Sequence, residues 1–394
     1  MTKFSKTTKK ILISGIPPSN SGVGRLMKML VPRAQELGYS IIYRRENKSL
    51  RRLLDEKKIF LAAKELVERK FNNIIFYIRS LLIKKSVVLA LHPQTIGFNA
   101  FLKIIKHNTV YFYVMDNSFF CLRSYNIHPV THKECLLCIT NPANALSQCI
   151  PFPVNYQRKD NIEYLQNLKS VSQKVFFLAQ NKKQKELLQL HFGTGIRCTI
   201  VGLDTGEVDF QSTSLPFSQV NNTSYDLVYH GVANFAKGIG YFVELAILLP
   251  EFSCFFPCSK IIVENILGKK ITEKNIIFSE CTWESGLKNA VTSARLVINP
   301  SLWSSPIEGA LLKSIYYNGN VAVVETEYGF SQEVIAESDV LCLPINTAIA
   351  AQKVRRFLDN GIDMSKNTKA WLKNFLLHND LNNIFNLVAD KKQS

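Results

Sequence analysis

Residues 9–44 read KKILISGIPPSNSGVGRLMKMLVPRAQELGYSIIYR. A short apolar run, KKILIS, gives way to the glycine-containing loop PPSNSGVGR, residues 17–25. An amphipathic stretch, LMKMLVPRAQELG, follows, and a second apolar run, YSIIYR, closes the unit. Strand, loop, helix and strand in that order predict two parallel strands joined by a helix. Strand-like runs recur at SVVLALH (86–92), TVYFYVMD (109–116), KVFFLAQN (174–181) and CTIVGLD (198–204), with the helical segment KKQKELLQLHFG between the last two. The first half therefore reads as a doubly wound α/β domain.

The composition changes at residues 205–224, TGEVDFQSTSLPFSQVNNTS, which are polar and turn-forming, as a domain boundary requires. A second series of apolar runs begins at YDLVYHG (225–231) and continues through FSCFFPC, KNIIFSE, ARLVINP, NVAVVE and DVLCLP. Helix-like stretches such as GIGYFVELAILLPE and WESGLKNAVTSA separate them. The expected architecture is α/β, with two Rossmann-like domains facing a cleft. Residues 1–210 are expected to form a basic first domain and residues 225–394 a second, whose terminal helical segment can pack back on the first.

A chain of 394 residues, 46% hydrophobic and 20% charged, is long enough for two or three such cores. No apolar run reaches the roughly 18 to 20 residues of a membrane span, and the apolar stretch near the N-terminus is too short for a signal peptide. Nine cysteines, an odd number, point to reduced thiols. The expected compartment is the cytoplasm.

The net charge of +17 is unevenly distributed: residues 1–220 carry 32 Lys/Arg and 14 Asp/Glu, residues 221–394 carry 16 and 17. Such asymmetry calls for an anionic partner of the first half, a membrane surface or a nucleic acid. The stretch SLRRLLDEKKIFLAAKELVERKFNNIIFYIRSLLIKK, residues 49–85, combines basic residues with amphipathic helical spacing, which favours peripheral attachment to the inner face of an anionic membrane. No nucleic-acid-binding module is recognisable.

In the second half, YHGVANFAKGIGYFVELAILLP and INPSLWSSPIEGALLKSIYYNGNVAVVETEYGFSQEV together resemble the donor-sugar domain of GT-B glycosyltransferases, in particular the retaining family 4. The glycine loop SGIPPSNSGVGRLMKML, the strand ends carrying His92 and Asp116, and the turn IVGLDT resemble that family's first domain. Three positions depart from it. Gly231 is followed by Val232 where the family has Arg, and the family's two glutamates fall at Ser305 or Pro306 and at Ser314. The chain resembles a divergent branch.

The resemblance implies transfer of a sugar from a nucleoside-diphosphate sugar to a glycan or lipid-linked acceptor in surface polysaccharide or glycolipid assembly, with retention and no cofactor. A site without a metal must meet the charge of a departing diphosphate with cations and helix N-termini. Lys237 beside Gly238 suits that role, or is a solvated lysine in a turn. Glu308, followed by Gly309 at a helix start, either contacts the donor sugar or caps the helix. Glu333 resembles a donor-binding acid. Gly22 and Gly24 can bring backbone amides to the donor or acceptor, or simply make a tight turn, Gly231 is expected beside the donor, and His92 and Asp116 face the reacting sugar or are structural.

Cys121, Cys135, Cys138 and Cys149 lie within 29 residues, spaced by 13, 2 and 10. They could ligate a structural zinc, or pack as thiols. Two further readings stand beside the enzyme: a non-catalytic GT-B homologue acting as a partner subunit, which the missing Arg and Glu make credible, and a basic nucleic-acid-binding protein.

Overall fold

The computed structural model describes residues 8–19, 22–151, 156–203, 225–379 and 382–389. The expected boundary segment at 205–224 lies outside the described residues, apart from its last neighbour Tyr225.

The first sheet contains β1 (Lys9–Ser14), β2 (Ser40–Tyr43), β3 (Ser86–Leu91), β4 (Thr109–Tyr113), β5 (Val175–Ala179) and β6 (Arg197–Ile200), in the order β2-β1-β3-β4-β5-β6. The second contains β7 (Leu227–Tyr229), β8 (Cys254–Phe256), β9 (Ile276–Phe278), β10 (Leu296–Asn299), β11 (Val321–Val324) and β12 (Leu341–Leu343), in the order β12-β11-β10-β7-β8-β9. Every strand pair is parallel. The architecture is two doubly wound α/β domains.

Alternation along the strands explains why they read as unbroken apolar runs. Ile11 and Ile13 of β1 enter one core cluster while Leu12 enters another on the opposite face. Leu227 and Tyr229 of β7 face one cluster and Val228 a second. Both faces of each sheet are covered, so no position on a central strand can be polar without a partner.

One expected helix is broken. Residues 283–294 form a wide turn, Trp283–Leu287, then a short helix, Lys288–Ser293, because Gly286 at φ 156° has no helical conformation. At the other end of the chain, Ile384 and Phe385 of the helix Asn382–Ala389 are buried against Leu12 and Tyr39 of the first domain, Phe385 meeting Tyr39 edge-on at 5.5 Å. The second domain's last described helix thus completes a core of the first.

A parallel sheet directs its strand C-termini to one edge, where ligands of open α/β folds bind. His92 follows β3 directly, Asp116 follows β4, and His230 follows β7. The loop after β10 carries Trp303 to Glu308.

Candidate functional site

Gly238 makes the turn that holds Lys237. It is left-handed at φ 72°, and a Cβ there would overlap the Pro300 carbonyl, so only glycine fits between the loops after β7 and β10. Asn234 caps the preceding turn by accepting from the Lys237 amide at 2.8 Å, and the buried Tyr229 hydroxyl donates to the Lys237 carbonyl at 3.0 Å. The ammonium group is held from three sides. Glu308 Oε1 is 3.1 Å from Nζ, and Nζ sits 5.1 Å from the ring centre of Trp303 and 5.9 Å from that of Tyr125. This lysine is not a free surface cation.

Glu308 occupies the N-cap position of the helix Gly309–Tyr317, yet its side chain accepts no hydrogen bond from that helix. It binds the Ser305 hydroxyl and Lys237 instead. The capping alternative is therefore replaced by an ion pair.

Across the cleft His92 is left-handed at φ 56°, an unusual state for a residue with a Cβ and one that the surroundings must enforce. Its Nδ1 is 2.9 Å from Thr95 Oγ1 and its Nε2 3.9 Å from Asp116 Oδ2. Burial pushes the imidazole pKa down while Asp116 pulls it up, the net shift being downward. A neutral ring results, able to donate or accept one hydrogen bond. Asp116 accepts from the Ser118 amide at 3.0 Å and from the Ser118 hydroxyl. Tyr125 links the two halves: burial raises its hydroxyl pKa, and Asp116 of the first domain and Glu308 of the second both add to the rise.

A cavity of about 240 Å³ lies between the domains, lined among others by Gly22, Arg25, Gln180, Ile307 and Gly309. Gly22 begins the helix Gly22–Glu36 and Gly309 begins Gly309–Tyr317, and neither first turn contains an acid. Two positive helix ends from opposite domains therefore meet at one cavity. Lys313, one turn along the second helix, is held down to about 8 by burial and by Arg25. Gln180, 2% exposed, has an Oε1 without a hydrogen-bond partner. The cavity carries unmet polar capacity and an excess of positive charge.

His230 is buried at the end of β7, beside Gly231. Its Nδ1 is 2.8 Å from Ser314 Oγ, its ring stacks on Trp283 at 5.3 Å, and burial holds its pKa down to about 4. Lys313 Nζ covers Trp283 at 4.7 Å. Arg25, His230, Trp283 and Lys313 were not singled out by sequence reasoning, and Ser314 was noted only as a place where the family has an acid. The signals for them were present only as a histidine before the Gly231 turn and a lysine on the helix that Glu308 precedes.

Three expected site residues stand elsewhere. Gly24 lies inside its helix, where a Cβ would overlap Ser19, and packs the loop without lining the cavity. Gly231 sits over the Tyr229 ring, and Val232 at the missing arginine's place is exposed. Glu333 accepts from the Lys183 amide of the first domain at 2.7 Å and lines a different cavity with Gln180, Lys182 and Trp371. Its pKa is raised, chiefly by burial.

The zinc expectation is not supported. Among the described residues no three His, Cys, Asp or Glu side chains come together as a metal site, and all four cysteines are free thiols. Cys121 and Cys138 are buried in the first domain's core, and burial first, then the neighbouring thiols, raises the pKa of both, Cys138 to about 12. The segment has another task. Glu134 accepts from the Ser304 hydroxyl and from the amides of Glu327 and Tyr328, the last at 3.0 Å, while Asn126 donates to Ser304 Oγ at 2.7 Å and Asn117 to the Ser304 carbonyl at 2.6 Å. It fastens the first domain to the second beside Lys237.

No protein-family model matches the sequence, and no curated protein matches it. Solved structures do match. A sucrose-phosphate synthase from Thermosynechococcus elongatus is 12% identical, with a TM-score of 0.61 over 98% of this chain and 99% of that one. An α,α-trehalose-phosphate synthase (UDP-forming) from Burkholderia vietnamiensis is 10% identical, with a TM-score of 0.58 over 99% and 100%. A glycosyltransferase from Rickettsia africae is 14% identical, with a TM-score of 0.53 over 97% of each. At these identities the likeness carries the fold: the two-domain GT-B architecture of glycosyltransferases.

Proposed function

We propose that the protein transfers a sugar from a nucleoside-diphosphate sugar to a glycan or glycolipid acceptor in the assembly of a surface polysaccharide, with retention of anomeric configuration. The observation that carries this reading is the meeting of two helix N-termini and Arg25 at an interdomain cavity, with Lys313 one turn along the second helix and Lys237 fixed nearby by Glu308 and Trp303. As the bond from the anomeric carbon to the diphosphate breaks, its electron pair leaves with the diphosphate, and preorganised cations stabilise that growing charge. His92 and Asp116 present a neutral imidazole and a carboxylate to the sugar from the first domain. The chain would work peripherally at the cytoplasmic face of an anionic membrane, which the charge split and an exposed apolar helix face support.

Release of nucleoside diphosphate from a panel of sugar nucleotides, with and without a membrane extract as acceptor source, tests the reading. Acceptor-stimulated release from one donor is expected. Donor binding without any turnover would favour the partner-subunit reading, for which exposed Val232 in place of an arginine is the supporting feature.

A further inference from the structure

The helix Ile59–Leu81 has two unlike faces. Ala62, Glu65, Phe76 and Ser80 are buried, Glu65 being held by the Lys48 amide at 3.0 Å and by Arg45 and Arg69 at 3.8 and 3.7 Å. At 100° per residue, Phe60, Val67, Phe71, Ile74, Ile78 and Leu82 form a single stripe on the opposite side. All six are exposed, Phe60 by 82% and Phe71 by 63%. So long an apolar stripe marks an interaction surface. Its surroundings decide which kind: residues 57–85 contain eight Lys/Arg against two Glu, with Lys64, Lys70, Lys84 and Lys85 all exposed. Like-charged stripes on two copies would repel, whereas an anionic bilayer satisfies both the apolar and the basic part.

Ile75 and Arg79 lie between the stripe and the inner face, and both line a cavity of about 470 Å³ whose other lining includes Pro17, Pro18, Tyr43 and the charged pair of neighbours Arg45 and Glu46. Pro17 and Pro18 belong to the loop that leads into Gly22 of the interdomain cavity. Among the described residues the Arg79 guanidinium has no acidic partner, unlike Arg45, which is paired with Glu68.

We propose that this helix lies in the surface of an anionic bilayer and that the adjoining cavity receives the phosphate-bearing head of a lipid-linked acceptor, with Arg79 as its cation. The acceptor then enters from the membrane, past the stripe, toward the proline loop and the donor. This deepens the transferase reading and rests on it.

The test uses the full chain as wild type and as two variants: Phe60→Ser with Phe71→Ser together, and Arg79→Gln alone. Flotation with phosphatidylcholine vesicles, with or without phosphatidylglycerol, should show binding that needs the anionic lipid, weakens with salt and is lost in the double variant. Arg79→Gln should still float, but should bind dodecyl phosphate about tenfold more weakly than wild type does, as expected for one charge-assisted contact, with inorganic phosphate binding poorly to either. Unchanged flotation of the double variant overturns the docking, as does a concentration-dependent dimer that the same variant abolishes. Equal dodecyl phosphate affinity in Arg79→Gln, or tight binding of free phosphate, overturns the headgroup site. Nucleoside diphosphate binding should persist in every variant; its absence from wild type would instead sink the transferase reading.

Discussion

Lys237 and Glu308 are 71 residues apart and meet at 3.1 Å, both largely withdrawn from solvent. A paired, partly buried charge is costly to orphan, so the two substitutions should separate. Lys237→Ala should lower turnover on the order of a hundredfold or more, since it removes a cation from the departing diphosphate. Glu308→Gln retains shape and the Ser305 contact while releasing the lysine, and should lower turnover with little change in thermal stability. Near-normal steady-state transfer by both variants would remove the site. His230 supplies a pH test. Its folded pKa of about 4 lies below the ordinary value of 6.5, so the unfolded chain binds more protons between those limits. Stability should therefore fall as pH drops from about 6.5 to 4, by on the order of 3 kcal/mol from this residue. His230→Phe should flatten that part of the curve of melting temperature against pH; an unchanged slope would mean that the ring is protonated without penalty.

At the scale of elements, turns and docking loops decide the geometry. Gly238 and Gly268 are both left-handed, at φ 72° and 65°, but only Gly238 faces backbone where a Cβ would stand. Gly268→Ala should cost about 1 kcal/mol and Gly238→Ala roughly 2 to 3 kcal/mol in denaturant unfolding. Equal costs would mean that the Pro300 loop gives way. In the segment 116–140, Glu134→Ala removes the acceptor of the Ser304 O–H and of the amides of Glu327 and Tyr328 and should cost about 1–3 kcal/mol by the same measurement. The strands were legible because both faces of each sheet are buried and the runs stay apolar from end to end. The turn at Lys237-Gly238 and the helix start at Glu308-Gly309 were legible as local patterns. The partner of Glu308 was not, because a carboxylate before a helix has the same local signature whether it caps that helix or reaches a lysine on another loop. Nor was the role of residues 121–149, where closely spaced cysteines suggested metal while Glu134, which has no sequence motif, makes the contacts.

At the scale of the molecule, the interdomain cavity exists only when Gly22 and Arg25 of one domain face Ile307 and Gly309 of the other, so no single stretch of sequence displays it. The proposed function requires the two sheets' C-terminal edges to close around a nucleoside diphosphate. Its most direct test is a thermal-shift titration of wild type and Lys237→Ala with UDP, GDP, ADP, CDP and dTDP, since a ligand that binds only the folded state raises the melting temperature with its concentration. At least one nucleotide should raise the melting temperature of wild type and do so far less for Lys237→Ala. A wild type indifferent to all five, or a shift of the same size in the variant, would contradict the account.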